Sequence, residues 1–466
     1  MSKMPKDLRS YLDELKQACP GEVLTIGREV DLRYEATAIV EKLEAQDRFP
    51  VLLFTSVKGH KMPVLTNLAA SYARLALAIG TDVPHMVPHY ARRAEQAVPV
   101  QWVEKPQAPV KEVVLEGHDV DLSRLPIPIH NELDAGQYIS GGVAITRDPD
   151  TGEINAGIYR HQVQGAAQLG WFINPGNHAN YVRVRYEEMQ QPMEVAIAIG
   201  HHPAMLLAAV AKLRGIGGEL EVMGGLMGEP LGVVRGETVD LPVPARAEIV
   251  IEGRILPGER RDEGPFGEWP RFYTGTGERP FIRVSAITMR RDPIFQDLSA
   301  AHAEHSLVGC LPRMGSLYKR IKEVVPSLVN VSLPLSGGGR VFCYISIKKN
   351  VDGEPKQAAF AALTTDNSIR EVVVVDDDID VFNEREVLWA RATCFQADKD
   401  LAIIPYALGS HLNPTAYNYA RDGKGALETK LIFDATRPAA PASFPARARA
   451  HPEAMGRIRL EEYIGD

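Results

Sequence analysis

The sequence contains few cysteines, and none of them forms a close pair along the chain. Its 466 residues include only four, Cys19, Cys310, Cys343 and Cys394. No two are separated by the two residues that are typical of a zinc ribbon or a dithiol redox motif. A disulfide framework is not expected in a chain of this size. This cysteine usage favours a reducing compartment, and we expect a cytoplasmic protein.

The sequence also lacks an excess of positive charge and any long apolar run. Fifty-two basic residues against sixty acidic ones give a net charge of −8, which argues against a nucleic-acid-binding protein. No uncharged apolar stretch is long enough to span a bilayer. The first residues, MSKMPKDLRSYLDELKQ, carry charges throughout and do not have the pattern of a signal peptide. We therefore expect neither nucleic acid nor a membrane as a partner.

Several common catalytic motifs are missing as well. The glycine-rich residues 336–339 (SGGG) lack both the GxGxxG spacing and the P-loop lysine, so we interpret them as a flexible loop. Without a GxSxG elbow, a hydrolase triad has no anchor. The pairs His201-His202 and His302-x-x-His305 have no matching set of ligands, so zinc is not expected.

The composition and the apolar spacing are those of a globular protein with several domains. Hydrophobic residues make up 45% of the chain and charged residues 24%, and the length predicts about two to four domains. In the first hundred residues the spacing predicts helices at 8–15 and 63–79 and a buried strand at 51–54. This alternation indicates an α/β unit.

The predicted pattern of helices and strands changes twice further along the chain. From about 110 to 300, short runs rich in Val, Ile and Thr predict a β-rich barrel or sandwich, interrupted by an apolar helix at 204–213. After about 320, the strands CYISI and EVVVV and a helix at 383–394, capped by Asn383, predict an α/β unit with a parallel sheet. The Pro/Ala-rich residues 436–450 are expected to be extended, before a last helix at 452–463.

Two carboxylates flank a turn in the stretch DEGPFGEW, residues 262–269. Glu263 and Glu268 bracket Gly-Pro-Phe-Gly, which suits neither a regular helix nor an interior strand. A rigid turn that presents two acids to one cavity is suited to acid–base catalysis, and apolar walls such as Phe266 and Trp269 favour that function because they raise the pKa of carboxyl groups. A solvated acidic loop is the alternative interpretation.

A second informative stretch is NAGIYR, residues 155–160. Its alternation predicts a strand that places Arg160 beside small residues, where a flat ligand can approach closely. An arginine within reach of Glu263 would keep that carboxylate ionised and oriented. An ordinary surface strand that ends in a charge is the alternative.

Four stretches together resemble the UbiD family of reversible decarboxylases, which use prenylated flavin mononucleotide (prenylated FMN). They are NAGIYR, DEGPFGEW, VVDDDIDVFNEREVLWA and KLIFDAT, in the order of the family, between about residues 110 and 435. The resemblance implies a mixed α/β (α+β) fold in three parts. These are an α/β N-terminal region (1–110), a split β-barrel domain that binds the flavin and carries catalysis (111–315), and a C-terminal α/β domain (316–466) that forms homodimers or homohexamers.

The resemblance also implies the residues of the site. The catalytic Arg–Glu–Glu trio of the family matches Arg160, Glu263 and Glu268. The ligands of its divalent ion, manganese or magnesium, match Asn155, His178 and Glu219, a donor set that suits a hard ion, and a potassium ion is implied nearby. Besides Arg160 and the metal ligands, the matching cofactor-binding positions are Ile158, Tyr159, Asn177 and, at the cofactor phosphate, Arg370.

The activity implied by the resemblance is that of a carboxy-lyase that releases CO2 from an unsaturated or aromatic acid. The flavin supplies an electron sink for the departing CO2. Glu268 then protonates the substrate carbon, and Arg160 and Glu263 orient Glu268. A separate flavin prenyltransferase must supply the cofactor. Two alternatives from other classes are a flavin carrier without catalysis, against which the intact trio argues, and an assembly protein with solvated acidic loops.

Residues beyond the acidic turn bear on the substrate. His305 and Arg313 lie eight residues apart, and in that region a histidine can donate to a ring heteroatom while an arginine binds a second carboxylate. The pairing is similar to that of furan-2,5-dicarboxylate decarboxylases, which predicts conversion of furan-2,5-dicarboxylate to 2-furoate. Pyrrole-2-carboxylate or another aromatic or acrylic acid is the alternative substrate, and an ion pair of Arg313 with a surface acid is the structural alternative.

Overall fold

Helices and strands alternate differently in three successive zones of the chain. The computed structural model describes residues 5–213, 215–417, 426–439 and 443–464. The α-helices are α1 (Leu8–Ala18), α2 (Glu35–Glu44), α3 (Tyr72–Ala78), α4 (Met86–Ala94), α5 (His178–Glu188), α6 (Ala204–Ala209), α7 (Glu219–Met227), α8 (Ala303–Val308), α9 (Cys310–Val324), α10 (Glu354–Thr365), α11 (Glu384–Cys394), α12 (Ala397–Asp400), α13 (Pro414–Tyr417), α14 (Pro452–Arg457) and α15 (Glu461–Ile464).

The strands are short in all three zones. They are β1 (Val23–Ile26), β2 (Val51–Phe54), β3 (Val64–Thr66), β4 (Gln101–Trp102), β5 (Val113–Glu116), β6 (Tyr138–Ile139), β7 (Val143–Arg147), β8 (Ile154–Ile158), β9 (His161–Gly165), β10 (Gln168–Trp171), β11 (Met193–Ile199), β12 (Gly232–Arg235), β13 (Pro242–Pro244), β14 (Ile249–Ile255), β15 (Arg261–Glu263), β16 (Phe266–Gly267), β17 (Tyr273–Thr274), β18 (Gly277–Arg279), β19 (Phe281–Met289), β20 (Phe295–Gln296), β21 (Leu328–Ser332), β22 (Phe342–Ile347), β23 (Glu371–Asp376), β24 (Leu401–Leu408) and β25 (Leu427–Asp434).

The N-terminal sheet has the order β1-β2-β3-β20 and is completed by a strand from far along the chain. Strand β20 pairs in parallel with β3, although more than two hundred residues separate them. Helix α1 begins with a reciprocal capping box between Asp7 and Ser10, and it buries a stripe of residues that includes Leu8, Leu12 and Leu15. The N-terminal region is therefore built into the rest of the molecule.

The central sheet is a nine-stranded, curled half-barrel in the order β6-β9-β10-β19-β14-β11-β7-β8, with β5 paired to β19. Its named pairings are antiparallel. Along β11, Ala196 and Ala198 face one hydrophobic core, whereas Ile197 and Ile199 face another. Because both faces are buried, the strand is a nearly continuous apolar run.

The C-terminal sheet has the order β21-β22-β23-β25-β24. Strands β22, β23 and β25 are parallel, whereas β21 and β24 pair antiparallel at the two edges. The predicted parallel sheet is therefore present in its three central strands, and the two edge strands are antiparallel. Helices α9 and α10 pack on this sheet together with α11, so an apolar layer covers the run of valines in β23.

The mixed α/β fold predicted from the sequence is confirmed by these three zones. The helix predicted at 63–79 is wrong over its first part, because residues 64–66 form β3 between β2 and β20 and the helix begins only at Tyr72. Asn67 has a φ of +68° between them, a left-handed conformation that no helix continues. Apolar residues that recur every three or four positions are compatible with a helix or with a strand when the segment is buried on both sides.

Other predicted helices exist but with different ends. The helix predicted at 204–213 ends at Ala209, and the last helix is split into α14 and α15. Helix α11 begins after Asn383, but the Asn383 side chain makes no capping hydrogen bond. In the part of the chain that the structure describes, no helix combines the length and apolarity needed to cross a membrane.

The packing of β11 leads to a prediction about stability. Ile197 is fully buried and lies opposite Ile251 of β14 and Ala144 of β7. We expect Ile197→Ala to lower the free energy of unfolding by about 2–5 kcal/mol, because it removes buried methyl groups and leaves a cavity. Urea denaturation followed by tryptophan fluorescence measures the change.

The matched control is Val329→Ala on the edge strand β21, where the side chain is 44% exposed. Its effect should stay within about 0.5 kcal/mol. Equal losses in the two variants would contradict the assignment of β11 to the centre of the core.

Candidate active site

The candidate site is a cavity of about 410 Å³ between the central sheet and the helices that follow it. This volume lies within the range of about 300–1,000 Å³ that is usual for ligand pockets. Its walls include residues 155–160, Phe172, 176–178, 209–213, Glu219, Phe266, Glu268, His305, Arg313 and Arg340. Residues from the central and C-terminal zones of the chain therefore meet in one place.

The Arg160 guanidinium binds both predicted carboxylates. Its Nε and Nη2 donate to the two oxygens of Glu263 at 2.8 Å each, and its Nη1 donates to Oε1 of Glu268 at 2.7 Å. Nη1 also donates to the Thr274 hydroxyl at 2.8 Å. The planar fork of arginine matches one carboxylate with two parallel hydrogen bonds, so Glu263 fixes the fork and the fork positions Glu268.

The acidic turn is more regular than the sequence predicts. Glu263 ends β15, which pairs with β18, and Glu268 follows β16, which pairs with β17. Gly264 has a φ of +88°, and a Cβ there would lie 2.8 Å from the carbonyl oxygen of Gly275. Two small ribbons joined at a glycine thus bring the two acids to one arginine.

Burial and charge pairing together set the electrostatics of the trio. All three side chains are buried, with Glu263 only 1% exposed. Burial alone lowers the pKa of the Arg160 guanidinium, but the hydrogen bonds and the charge of Glu263 outweigh that effect and raise it above its ordinary value. The guanidinium also lies against the rings of Phe172 and Phe266, 4.0 and 4.9 Å from their centroids. Arginine is therefore a fixed cation here.

Glu268 presents one oxygen to the cavity. Its Oε1 accepts from Arg160, and Oε2 lies 3.9 Å from Nε2 of His305. Among the described residues, no hydrogen bond reaches Oε2. Glu268 lines the cavity and Glu263 does not, so the two acids have different positions: one reaches a ligand and the other holds the arginine.

His305 is a neutral hydrogen-bond donor in this arrangement. Its Nδ1 accepts from the backbone N–H of Ala301 at 3.2 Å, which leaves the proton of the neutral ring on Nε2. Burial, together with the charges of Arg340 and Arg160, lowers the pKa of His305 to about 3. The ring therefore offers an uncharged N–H to the cavity at ordinary pH.

Asn155 and Glu219 meet at the wall of the cavity, which His178 also lines. The Asn155 Nδ2 donates to Glu219 at 3.1 Å, and the backbone N–H of Ala156 donates to its second oxygen at 3.2 Å. The buried Asn155 Oδ1 has no hydrogen-bond partner. Burial raises the pKa of Glu219 to about 7. An orphaned amide oxygen beside a buried carboxylate is an arrangement that a cation stabilises.

The positions predicted to bind a cofactor divide into two groups. Ile158, Tyr159 and Asn177 line the cavity, and the Tyr159 ring fills the space beside Gly157, where a Cβ would lie 2.7 Å from it. Arg370 is not among the lining residues, because its Nη1 donates to the Thr415 hydroxyl at 3.0 Å. The backbone N–H of Arg370 is bound to Val341 at the start of β23, which holds it away from the cavity.

A cationic wall faces the cavity from the C-terminal side. It consists of Lys212, Arg313 and Arg340. Arg313 lies within α9, and it forms an ion pair with Asp366. The neighbouring charge of Arg313 lowers the pKa of Lys212 to about 8. Sequence reasoning missed Lys212 and Arg340, since neither belongs to a motif.

Glu44 is a further residue that the sequence did not indicate. From the end of α2 it accepts from Nδ1 of His302 at 3.0 Å, the backbone N–H of Ala303 at 2.7 Å and Nη2 of Arg271 at 2.8 Å. The backbone N–H of Arg271 in turn binds the carbonyl oxygen of Glu268. Glu44 thus connects the N-terminal region to both segments that carry Glu268 and His305.

Comparison with protein families places nearly the whole chain in one family. Residues 14–94, 101–302 and 306–435 match the N-terminal, Rift-related and C-terminal domains of the 3-octaprenyl-4-hydroxybenzoate carboxy-lyase family, UbiD. An anhydromevalonate phosphate decarboxylase of Methanothermobacter thermautotrophicus is 35% identical, over 93% of this chain and 98% of that protein. A phenolic acid decarboxylase of Sedimentibacter hydroxybenzoicus is 32% identical, over 96% and 94%.

Solved structures agree with the family match. The UbiD-class enzyme HmfF from Pelotomaculum thermopropionicum, in complex with FMN, has a TM-score of 0.92 and 39% identity, over 98% of this chain and 100% of that one. An evolved dimeric form of the same enzyme, in complex with prenylated FMN, has a TM-score of 0.88 and 37% identity, over 99% and 100%.

The pairing of Arg160 predicts a large loss of stability when it is removed. Arg160→Met leaves two buried carboxylates without a counterion, and we expect it to lower the free energy of unfolding by about 3–5 kcal/mol. The double variant Arg160→Met/Glu263→Gln should recover part of that loss, because it removes one of the uncompensated charges. Urea denaturation of both proteins measures the difference.

Arg235→Met is the matched control, since that side chain is 74% exposed. It should have an effect within about 0.5 kcal/mol. A stability of Arg160→Met equal to that of the wild-type protein is the outcome that contradicts a tightly paired trio.

Proposed function

The chain belongs to the UbiD family of carboxy-lyases, and on that premise we propose that it decarboxylates a heteroaromatic acid with prenylated FMN, using Glu268 as the proton donor. One observation carries the proposal: Arg160 binds Glu263 and Glu268 at once, and only Glu268 reaches the cavity. An arginine that orients an acid at a cavity wall is an arrangement for proton transfer to a bound ligand.

The residues around the cavity fit a flavin. Ile158, Tyr159 and Asn177 provide apolar, aromatic and amide contacts along one wall, and the absence of a side chain at Gly157 lets the Tyr159 ring pack against the strand. Prenylated FMN supplies an electron sink for the departing CO2 when it is bound. A flavin prenyltransferase is the proposed source of that cofactor.

The metal ligands proposed are Asn155, His178 and Glu219, for manganese or magnesium. The unpartnered Oδ1 of Asn155 and the carboxylate of Glu219 supply oxygen donors, which hard divalent ions prefer. A cation there offsets the cost of burying the Glu219 charge and attracts the cofactor phosphate. A potassium ion nearby is part of the same proposal.

The chain's own groups then act on the bound acid. Glu268 delivers a proton from Oε2 to the substrate carbon that has lost CO2, while Arg160 and Glu263 keep the carboxyl group in place. The neutral Nε2–H of His305, beside that oxygen, donates to a heteroatom of the ring. The rings of Phe172 and Phe266 exclude water from Arg160, so the hydrogen bonds of the trio act in a low-dielectric environment.

The cationic wall favours a substrate with a second negative charge. Furan-2,5-dicarboxylate, converted to 2-furoate, is the proposed substrate, and pyrrole-2-carboxylate or another aromatic or acrylic acid is the alternative. The prediction that Arg313 binds the second carboxylate stays a prediction, since its guanidinium is paired with Asp366. We also propose that the protein works in the cytoplasm as a homodimer or homohexamer assembled through residues 316–466.

Substitution of the proton donor tests the activity. Glu268→Gln keeps the shape of the side chain but cannot deliver a proton, so CO2 release should fall by at least about 100-fold. Exchange of the substrate hydrogen with solvent deuterium should be lost as well. FMN binding, measured by fluorescence quenching, should be unchanged.

Asp262→Asn, an exposed neighbour in the same turn, is the control and should keep its activity. Near-normal turnover of Glu268→Gln rules out its role as proton donor. If the wild-type protein binds FMN but releases CO2 from no acid, the flavin carrier becomes the better description.

Removal of a proposed metal ligand is a separate test. Glu219→Gln should lower the affinity for Mn²⁺ by more than about tenfold, because an amide replaces the charged donor. Metal analysis after chelation and reloading with Mn²⁺ measures the retained ion. Glu221→Gln, on the same helix α7, is the control, and equal retention in both variants would exclude Glu219 as a ligand.

A further inference from the structure

The glycine-rich residues 336–339 are a packed segment that carries Arg340 to the cavity. Gly338 and Gly339 have φ values of +61° and +63°. A Cβ at Gly338 would lie 2.9 Å from the Trp269 ring, and one at Gly339 would lie 2.8 Å from the carbonyl oxygen of Ser306. Both positions therefore require glycine for conformation and for space. The prediction of a flexible loop is wrong for this reason.

Arg340 has no counterion among the residues that the structure describes. Its guanidinium lies over the Trp269 ring, 4.9 Å from the centroid, and its buried Nε has no hydrogen-bond partner. No described carboxylate lies within ion-pair distance of it. Arg313, its neighbour on the same wall, differs because Asp366 pairs with it.

The cationic wall as a whole carries more positive than negative charge. It combines Lys212, Arg313 and Arg340 with the single carboxylate of Asp366. Burial, followed by the charge of Arg313, lowers the pKa of Arg340 to about 9. A planar fork in this state binds a carboxylate through two charge-assisted hydrogen bonds.

We propose that Arg340, held by the glycine-rich segment and stacked on Trp269, binds the second carboxylate of a heteroaromatic dicarboxylic acid and sets the preference for diacids over monoacids. This inference rests on the proposed function and names its specificity residue. Arg340 is well placed for it because Trp269 directly follows Glu268 in the chain. The donor of the proton and the anchor of the distal carboxylate are thus linked by one stacked pair.

The alternative anion for this wall is the phosphate of the flavin. The two sources are distinguished by binding measurements on the full chain, which do not depend on turnover. Isothermal titration of the chain loaded with FMN gives the Kd of furan-2,5-dicarboxylate and of 2-furoate. Fluorescence quenching with the chain freed of flavin gives the Kd of FMN itself.

We expect Arg340→Gln to raise the Kd of furan-2,5-dicarboxylate by roughly 10- to 100-fold, because a charge-assisted contact is lost. The Kd of 2-furoate and of FMN should each change less than about threefold on the same scale. Arg340→Lys keeps the charge without the fork and should fall between wild type and Arg340→Gln. Arg320→Gln, on an exposed side chain, is the matched control and should bind all three ligands like the wild-type protein. Thermal unfolding of every variant checks that each one folds.

Three other outcomes overturn the assignment. Equal losses for the diacid and 2-furoate mean that Arg340 acts on a shared group, and a loss confined to FMN assigns the wall to the phosphate. A selective loss in Arg313→Gln but not in Arg340→Gln makes Arg313 the anchor. If the wild-type protein shows the selective binding but releases CO2 from no acid, the proposed function fails while the binding assignment stands.

Discussion

The structure depends on one buried arginine that serves two carboxylates. Arg160 lies in the short link between β8 and β9, while Glu263 and Glu268 come from ribbons more than a hundred residues later. Burying three charges is costly unless every one is paired with good geometry. The two ribbons, the glycine at 264 and the hydroxyl of Thr274 together provide that geometry.

The cavity is lined by groups of opposite charge. The trio of Arg160 with two glutamates carries a net charge of −1 when both acids are ionised, and both glutamates are paired with the arginine. The cationic wall contributes three cations, of which Arg313 is paired with Asp366. The cavity therefore combines a paired acid–arginine trio with cations that outnumber their carboxylate partners.

The N-terminal region takes part in the site without lining it. Glu44 binds the segment that begins α8 and the turn that follows Glu268, and β20 completes the sheet of β1–β3. Ala301, which donates to His305, has a φ of +64°, a conformation that is sustained only where surrounding contacts hold it. The position of His305 is thus fixed by residues from the N-terminal region and from the segment that precedes α8.

The sequence by itself determined the elements with an unambiguous local pattern and the chemistry of the two motifs. Continuous apolar runs identified β2 and β23, and NAGIYR and DEGPFGEW identified the residues of the trio. Tertiary structure alone decided the rest. Residues 64–66 form a strand because β20 pairs with them. The Arg370 side chain donates a hydrogen bond to Thr415 and does not line the cavity. Arg340 became the uncompensated cation of the wall because a packed glycine segment and Trp269 hold it there. Local periodicity cannot encode such pairings, since each partner lies far away along the chain.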